Sequence, residues 1–182
     1  MTNSNNLTIP YARHSRVERL RDVLQYHVES IALGFDRWGE ARVHGPGLYL
    51  AIVVGPKIAD YADPMGNNRW PTERSRDALS HSDDFANALK DVAYTADGAV
   101  VVSVDGIVSD QLVRFNSLGS TADLEYAPWM GSRHMSALDI STRPDVVTTM
   151  TLSQESGRVT RFENGTFESV EFENLGEPYR AE

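Results

Sequence analysis

Two short segments of this chain combine residue types and spacing that chemistry could use. Asp97-Gly98-Ala99 stands where a helical stretch hands over to a run of valines. A glycine there lets a ligand approach the backbone closely, and Asp97 sets a carboxylate at the edge of the strand. Gly131-Ser132-Arg133-His134 opens a second, shorter helical stretch. Free N–H groups at a helix start, a hydroxyl, a guanidinium and an imidazole together suit a phosphate group. Each segment also has a plainer reading. Asp-Gly is a turn-forming pair that can simply join helix to strand, and Arg-His is a common dipeptide.

Other chemistries lack their residues. The sequence has no GxxxxGK(S/T) phosphate loop, GxGxxG fingerprint, HExxH pair or GxSxG elbow. It has no cysteine, which removes disulfides, thiolate nucleophiles and thiolate metal sites. His14, His27, His44, His81 and His134 are scattered without paired metal-ligand spacing. His27 lies beside the apolar stripe of the first helix and reads as a packing residue. Asn164-Gly165-Thr166 matches a glycosylation acceptor but reads as a hairpin turn.

The elements that would hold the two segments follow from periodicity. Val17, Leu20, Val23, Leu24, Val28 and Ile31 recur at helical spacing, behind a Ser15–Glu18 capping box and ahead of Gly34. Gly45-Pro46-Gly47 punctuates the chain before a buried strand over 48–54. Residues 60–80, rich in proline and polar groups, read as a long loop. A second helix is predicted over 82–93, with Ser82 as its cap and Asp83 and Asp84 in its first turn. Strands over 99–104 and 107–115 make a hairpin around Asp105-Gly106. A short helix over 132–140 precedes strands at 146–152, 158–163 and 166–172, the last two turning at Asn164-Gly165. The pattern predicts an α/β fold, a mixed β-sheet flanked by helices. Residues 1–14 are expected to be a flexible N-terminus, 15–173 one domain, and 174–182 a loose tail.

Charge narrows the partners. Asp and Glu total 26 against 17 Lys and Arg, a net charge of −9, and only Lys57 and Lys90 are lysines. Such a surface repels nucleic-acid phosphates, so no nucleic acid partner is expected. It suits work in concentrated salt, as a halophilic-like acidic surface, or is simply a solvated acidic exterior. No apolar run has membrane-spanning length, and the N-terminus lacks a charged-then-apolar signal pattern. A cytoplasmic protein without a membrane partner is the expectation.

Taken in order, ADGAVVVSVDGIV, GSRHMSALDIS and TLSQESGRVTRFENGTF resemble the diadenylate cyclase domain, the catalytic module of DisA-type proteins. That family carries a DGA motif at a strand start, then G-(T/S)-R-H-R-x-A, then a strand ending Ser-Glu-Glu-(Thr/Ser)-Gly. The resemblance covers about 45–172. It departs at Met135, where the family has its second arginine, and at Gln154, where it has its first glutamate. It implies condensation of two ATP molecules into cyclic di-AMP with release of two pyrophosphates. The alternative is a catalytically degenerate nucleotide-binding domain of the same fold.

The resemblance also implies roles. Asp97, Arg133 and His134 would be catalytic, with Ser132, Arg133 and His134 on phosphate oxygens. Gly98, Ala99, Val113, Arg114, Gly131, Ser132 and Ser153 would bind the nucleotide. Asp97 and Glu155 would hold a divalent metal, Mg or Mn, since oxygen donors suit those hard cations. One domain binds one ATP, so self-association into a face-to-face dimer or higher homo-oligomer is implied. Arg114 or Arg143 could replace the guanidinium lost at Met135.

Overall fold

A computed structural model describes residues 13–55, 57–119 and 123–176, and the structural statements below concern these. Residues 1–12 of the expected N-terminal segment and 177–182 of the expected tail lie outside them. The apolar stripe of the first helix is buried as α1 (Ser15–Leu33). Its cap is His14 and not the expected Ser15–Glu18 box. The His14 carbonyl accepts from the N–H groups of Val17 and Glu18, and His14 Nδ1 accepts from Arg16 N–H at 3.3 Å. Ser15 is already the first helical residue. The same one-residue offset occurs at α2 (Ser82–Thr95), which is capped at His81. The Ser82 hydroxyl instead meets His27 Nε2 at 3.2 Å, and the His27 ring lies against Phe85. Burial lowers the His27 pKa, as fits a packing residue.

The apolar run after Gly47 forms β1 (Leu48–Val53), buried along its whole length. It pairs in parallel with β3 (Val100–Ser103) and antiparallel with β5 (Val146–Leu152). Strands β6 (Val159–Glu163) and β7 (Thr166–Val170) continue the sheet antiparallel, in the order β3-β1-β5-β6-β7. The sheet is therefore mixed, as the sequence pattern predicts. Alternation along β1 divides two cores. Leu48, Leu50 and Ile52 pack with α1 and α2, whereas Tyr49, Ala51 and Val53 face the side of α3 (Ser132–Ile140).

Two expectations fail where the backbone leaves this sheet. Residues 60–80 are not one long loop: Ala62–Arg69 is a strand, β2, and a 3-10 turn follows at Glu73–Arg76. β2 pairs only with β4 (Gln111–Phe115), so it is an edge strand, where proline, glycine and polar side chains are tolerated. Trp70, in the same stretch, enters the core and stacks on Phe85 with ring centroids 5.4 Å apart. The hairpin expected over 99–115 forms only its turn. Gly106 takes φ +85, and its N–H donates to the Ser103 carbonyl. Beyond the turn the chain meets the 99–103 strand at single bridges, Ala99–Val113 and Val102–Val108, then pairs with β2.

Leu175 is 1% exposed and belongs to the first core, so packing runs past residue 173. The Asn164-Gly165 turn is as predicted, with φ +50 and +74, the left-handed pair that a two-residue hairpin favours. Its tip is tied to the end of α3. Asn164 N–H donates to the Ser141 carbonyl at 3.1 Å and Gly165 N–H to Ser141 Oγ at 3.0 Å.

Candidate functional site

The two segments singled out in the sequence meet across one cleft. α2 ends at Thr95, and the Asp97-Gly98 turn redirects the chain into β3. Gly98 has φ +108, and a Cβ there would lie 3.1 Å from Leu112 Cβ and 3.2 Å from Met65 Cβ. The conformation favours glycine, and the space for any side chain is tight. Asp97 Oδ1 accepts the Gly98 N–H at 2.8 Å, and Arg133 Nη2 approaches the same oxygen at 3.8 Å. The carboxylate is 70% exposed and the guanidinium 28%. Such a pair adds only about 0–1 kcal/mol to stability. It does leave opposite charges facing each other at the mouth of the cleft.

The cleft has a volume of about 420 Å³, within the range of small-molecule sites. Asp97, Arg114, Ser132, Arg133 and Ser136 supply its polar wall. Met65, Ala99, Val113, Phe115 and Tyr49 supply the apolar and aromatic wall. Gly131 caps α3 without any side-chain cap bond, so the first N–H groups of that helix stay free for an anion. The Tyr49 hydroxyl lies 3.0 Å from Ser136 Oγ, and burial raises its pKa well above the ordinary range. Tyr49 is thus a neutral hydrogen-bonding group and not a base.

Of the residues predicted from sequence, Asp97, Gly98, Ala99, Val113, Arg114, Ser132 and Arg133 line the cleft. Gly131 adjoins it as the helix cap. His134 does not line it. Its ring is 8% exposed and sits edge-on to Trp129 at 5.2 Å, and Arg158 covers that indole at 4.3 Å. Burial, then Arg133 and Arg158, lower its pKa to about 4, and its Nε2 is buried without a partner. The physical reason is helical geometry: adjacent residues of α3 point about 100° apart, so Arg133 in the cleft turns His134 toward the sheet. Ser153 and Glu155 also lie off the lining, in the turn after β5. There Ser153 Oγ accepts from the N–H groups of Glu155 and Ser156.

The donor set fits a hard divalent cation in part. Asp97 offers an exposed carboxylate beside a phosphate-type cradle, which suits magnesium or manganese shared with phosphate oxygens and water. Among the described residues no group of three or more His, Cys, Asp or Glu is gathered, so Asp97 and Glu155 form no preassembled cage. The proposed substitutes for the missing guanidinium also separate. Arg114 lines the cleft, whereas Arg143 is bound through two nitrogens to Asp145 and covers Tyr61.

Sequence reasoning missed Tyr49, Met65, Phe115 and Ser136 in the lining, and Gly47 behind it. A Cβ on Gly47 would lie 2.5 Å from Arg133 Nη1 and 3.0 Å from Gln154 Cβ. The Gly45-Pro46-Gly47 punctuation was the available signal: it marks a backbone pressed against the arginine.

The family model described as DisA bacterial checkpoint controller nucleotide-binding matches residues 76–167, half of the chain. The chain belongs to this DisA nucleotide-binding family. The matched stretch contains both segments of the cleft, while Tyr49 and Met65 come from outside it. Among solved structures, a hypothetical membrane spanning protein from Bacillus cereus is 20% identical with a TM-score of 0.54. That match covers 82% of this chain and 62% of the other, so this chain spans less than two thirds of its relative. A double mutant of DacA from Staphylococcus aureus is 18% identical with a TM-score of 0.49, over 88% of this chain and 93% of that one. No curated protein matches. The fold is thus that of the family, an α/β mixed sheet flanked by helices. Among the described residues no helix is long and apolar enough to cross a membrane.

Proposed function

We propose that this member of the DisA nucleotide-binding family is a diadenylate cyclase that joins two ATP molecules into cyclic di-AMP. The observation that carries the reading is the convergence of Asp97 and Arg133 at the mouth of a cleft with an aromatic and apolar wall. Val113, Phe115 and Ala99 offer that wall to an adenine. Ser132, Arg133 and the free N–H groups of α3 receive phosphate oxygens, and Arg114 adds a second guanidinium.

In the reaction the 3′-hydroxyl oxygen of one ATP forms a bond to the α-phosphorus of the other. The bond from that phosphorus to the bridging oxygen of the β-phosphate breaks, and pyrophosphate leaves. The hydroxyl proton passes to Asp97 or, through it, to solvent. The step occurs twice, once in each direction, so two copies of the domain face each other. Such chemistry depends on positioning and charge neutralisation more than on covalent participation. Magnesium or manganese held by Asp97 and Glu155 would add positive charge at the phosphates. His134 contributes through packing, its ring edge-on to Trp129 beside the residue that supplies the guanidinium.

The test is chromatography of purified protein incubated with ATP and manganese. Cyclic di-AMP and pyrophosphate in a 1:2 ratio are expected by stoichiometry, with specific activity rising with protein concentration until the facing dimer is filled. Absence of product at every concentration overturns the reading. The degenerate-domain alternative is favoured by Met135, which is 41% exposed where the family has arginine. It predicts a wild type that binds ATP but stays silent, and turnover restored by Met135→Arg.

A further inference from the structure

The turn that carries Asp97 is held from outside by a strand irregularity. Pro64 lies opposite Val113 and Arg69 opposite Gln111, so the segment between Pro64 and Arg69 bulges from the β2–β4 ladder. Both ends of the bulge are fastened: Pro64 by its strand partner, Arg69 by an ion pair to Asp110 at 3.4 Å, and Trp70 N–H by the Asp110 carbonyl at 2.8 Å. Within it, Gly66 and Asn67 are exposed and Gly66 takes φ +58, while Met65 and Asn68 are half-buried. Those two inward residues both reach the Asp97-Gly98 turn. Met65 packs against Gly98 and lines the cleft, and Asn68 Nδ2 donates to the Asp97 carbonyl at 2.8 Å.

We propose that Asn68 is a positioning residue for Asp97, with the bulge as the arm that carries it. The inference rests on the role given to Asp97 above. Asp97 has little else to fix it: its side chain is mostly exposed, and its nearest bond is to the N–H of its own neighbour. The carbonyl held by Asn68 belongs to the peptide that joins Asp97 to Gly98. With φ +108 at Gly98 that peptide could rotate, and rotation would turn away the Gly98 N–H that holds Asp97 Oδ1 beside Arg133. A hydrogen bond from a bulge tied at both ends opposes the rotation. Bulges near active sites re-aim side chains in this manner, and a displacement of about 1 Å can cost about 10²-fold in rate. Asn68 acts on orientation, not on affinity for the base, because it touches the turn and does not line the cleft.

Asn68→Ala and Asn68→Asp test this, the second keeping the shape while losing the donor. Each is measured for cyclic di-AMP formation and, by calorimetry, for ATP affinity with and without manganese, after its melting curve shows it folded. Both variants are expected to lower kcat at least about tenfold with KM changed less than about threefold. Both should also lose most of the gain in ATP affinity that manganese gives the wild type, while metal-free ATP affinity stays unchanged. Wild-type kcat and an intact manganese gain in Asn68→Asp overturn the proposal. So does an equal fall in metal-free ATP affinity, which would make Asn68 part of the nucleotide wall. A wild type that binds ATP with a manganese gain but makes no product defeats the cyclase reading alone, and the affinity measurements then decide on Asn68. A wild type with neither overturns both.

Discussion

The two faces of the central sheet both bury apolar residues, but only one leaves a cleft open. On one face, Leu50 and Ile52 of β1 meet Leu20, Leu24, Phe85 and Leu89 of α1 and α2 in a closed aliphatic and aromatic core. On the other, α3 packs over small and polar residues: Ala51 on β1, and Thr149 on β5, whose hydroxyl donates to the Ala137 carbonyl at 2.8 Å. The partnerless His134 Nε2 and Thr151 Oγ1 are buried on this second face, Thr151 standing opposite Tyr49 in the β1–β5 register. The first face gains from removing apolar area from water. The second buries an apolar cluster of its own, with Leu138, Ile140 and Phe162, and also keeps a cleft. Stability and chemistry are thus separated by the thickness of one strand.

Mutation can break that separation. Asp97→Asn and Arg133→Ala are each expected to lower cyclic di-AMP formation by about 10²-fold or more. Both side chains are at least partly exposed, so melting temperatures should move little. Phe85→Ala on the other face should do the reverse, costing about 3–5 kcal/mol of stability in denaturant titration while folded protein retains its turnover. A large loss of stability in Asp97→Asn would erase the distinction between the faces.

Acid sharpens it. The His134 pKa is lowered to about 4 by burial and by Arg133 and Arg158, against an ordinary value near 6.5. Between those values the unfolded chain binds a proton that the folded chain refuses. Stability is therefore full above about pH 6.5 and falls as pH drops toward 4, by up to about 1.4 kcal/mol per unit. His27, lowered by burial on the first face, adds to the same slope. His134→Gln should flatten the pH dependence of the urea midpoint more than it alters the midpoint at pH 8. An unchanged slope would show that the imidazole is accessible.

How much of this was legible varies with the kind of signal. The Leu48–Val54 run, the α1 stripe and the Asn164-Gly165 turn announce themselves because periodicity and turn chemistry are local. Asp97 and Arg133 were legible through ordered motifs. β2 was not, since a bulged edge strand has the composition of a loop and its partner β4 lies more than forty residues away. Tyr49 and Phe115 read as core, because nothing in a strand pattern tells which face will be left open. His134 was expected at the phosphates from the same motif, and the helix turns its ring onto Trp129, outside the cleft lining.

The smallest effect belongs to the surface, which neither face controls. With 26 acidic against 17 basic residues, screening should relieve repulsion among carboxylates, since the Debye length falls to about 3 Å at 1 M salt. A rise of a few degrees in melting temperature from low to molar potassium chloride is expected, with the contrast between Phe85→Ala and Asp97→Asn unchanged. A flat or falling curve removes the saline reading of the composition.

The tie between Ser141 and the Asn164-Gly165 tip bears on how the cleft breathes. α3 is moored at its far end by that hairpin and along its length by Thr149, and Leu118 N–H adds a bond to Asp139 at 3.1 Å. The hydrogen-bonded amide protons of its later turns should exchange with deuterium only when the whole molecule opens. The bulge opposite, exposed at Gly66 and Asn67, is free to exchange through local excursions. The cleft then works as a vice with one fixed jaw: the α3 side stands still, and adjustment falls to the exposed tip at Gly66 and Asn67, between the tied residues Met65 and Asn68.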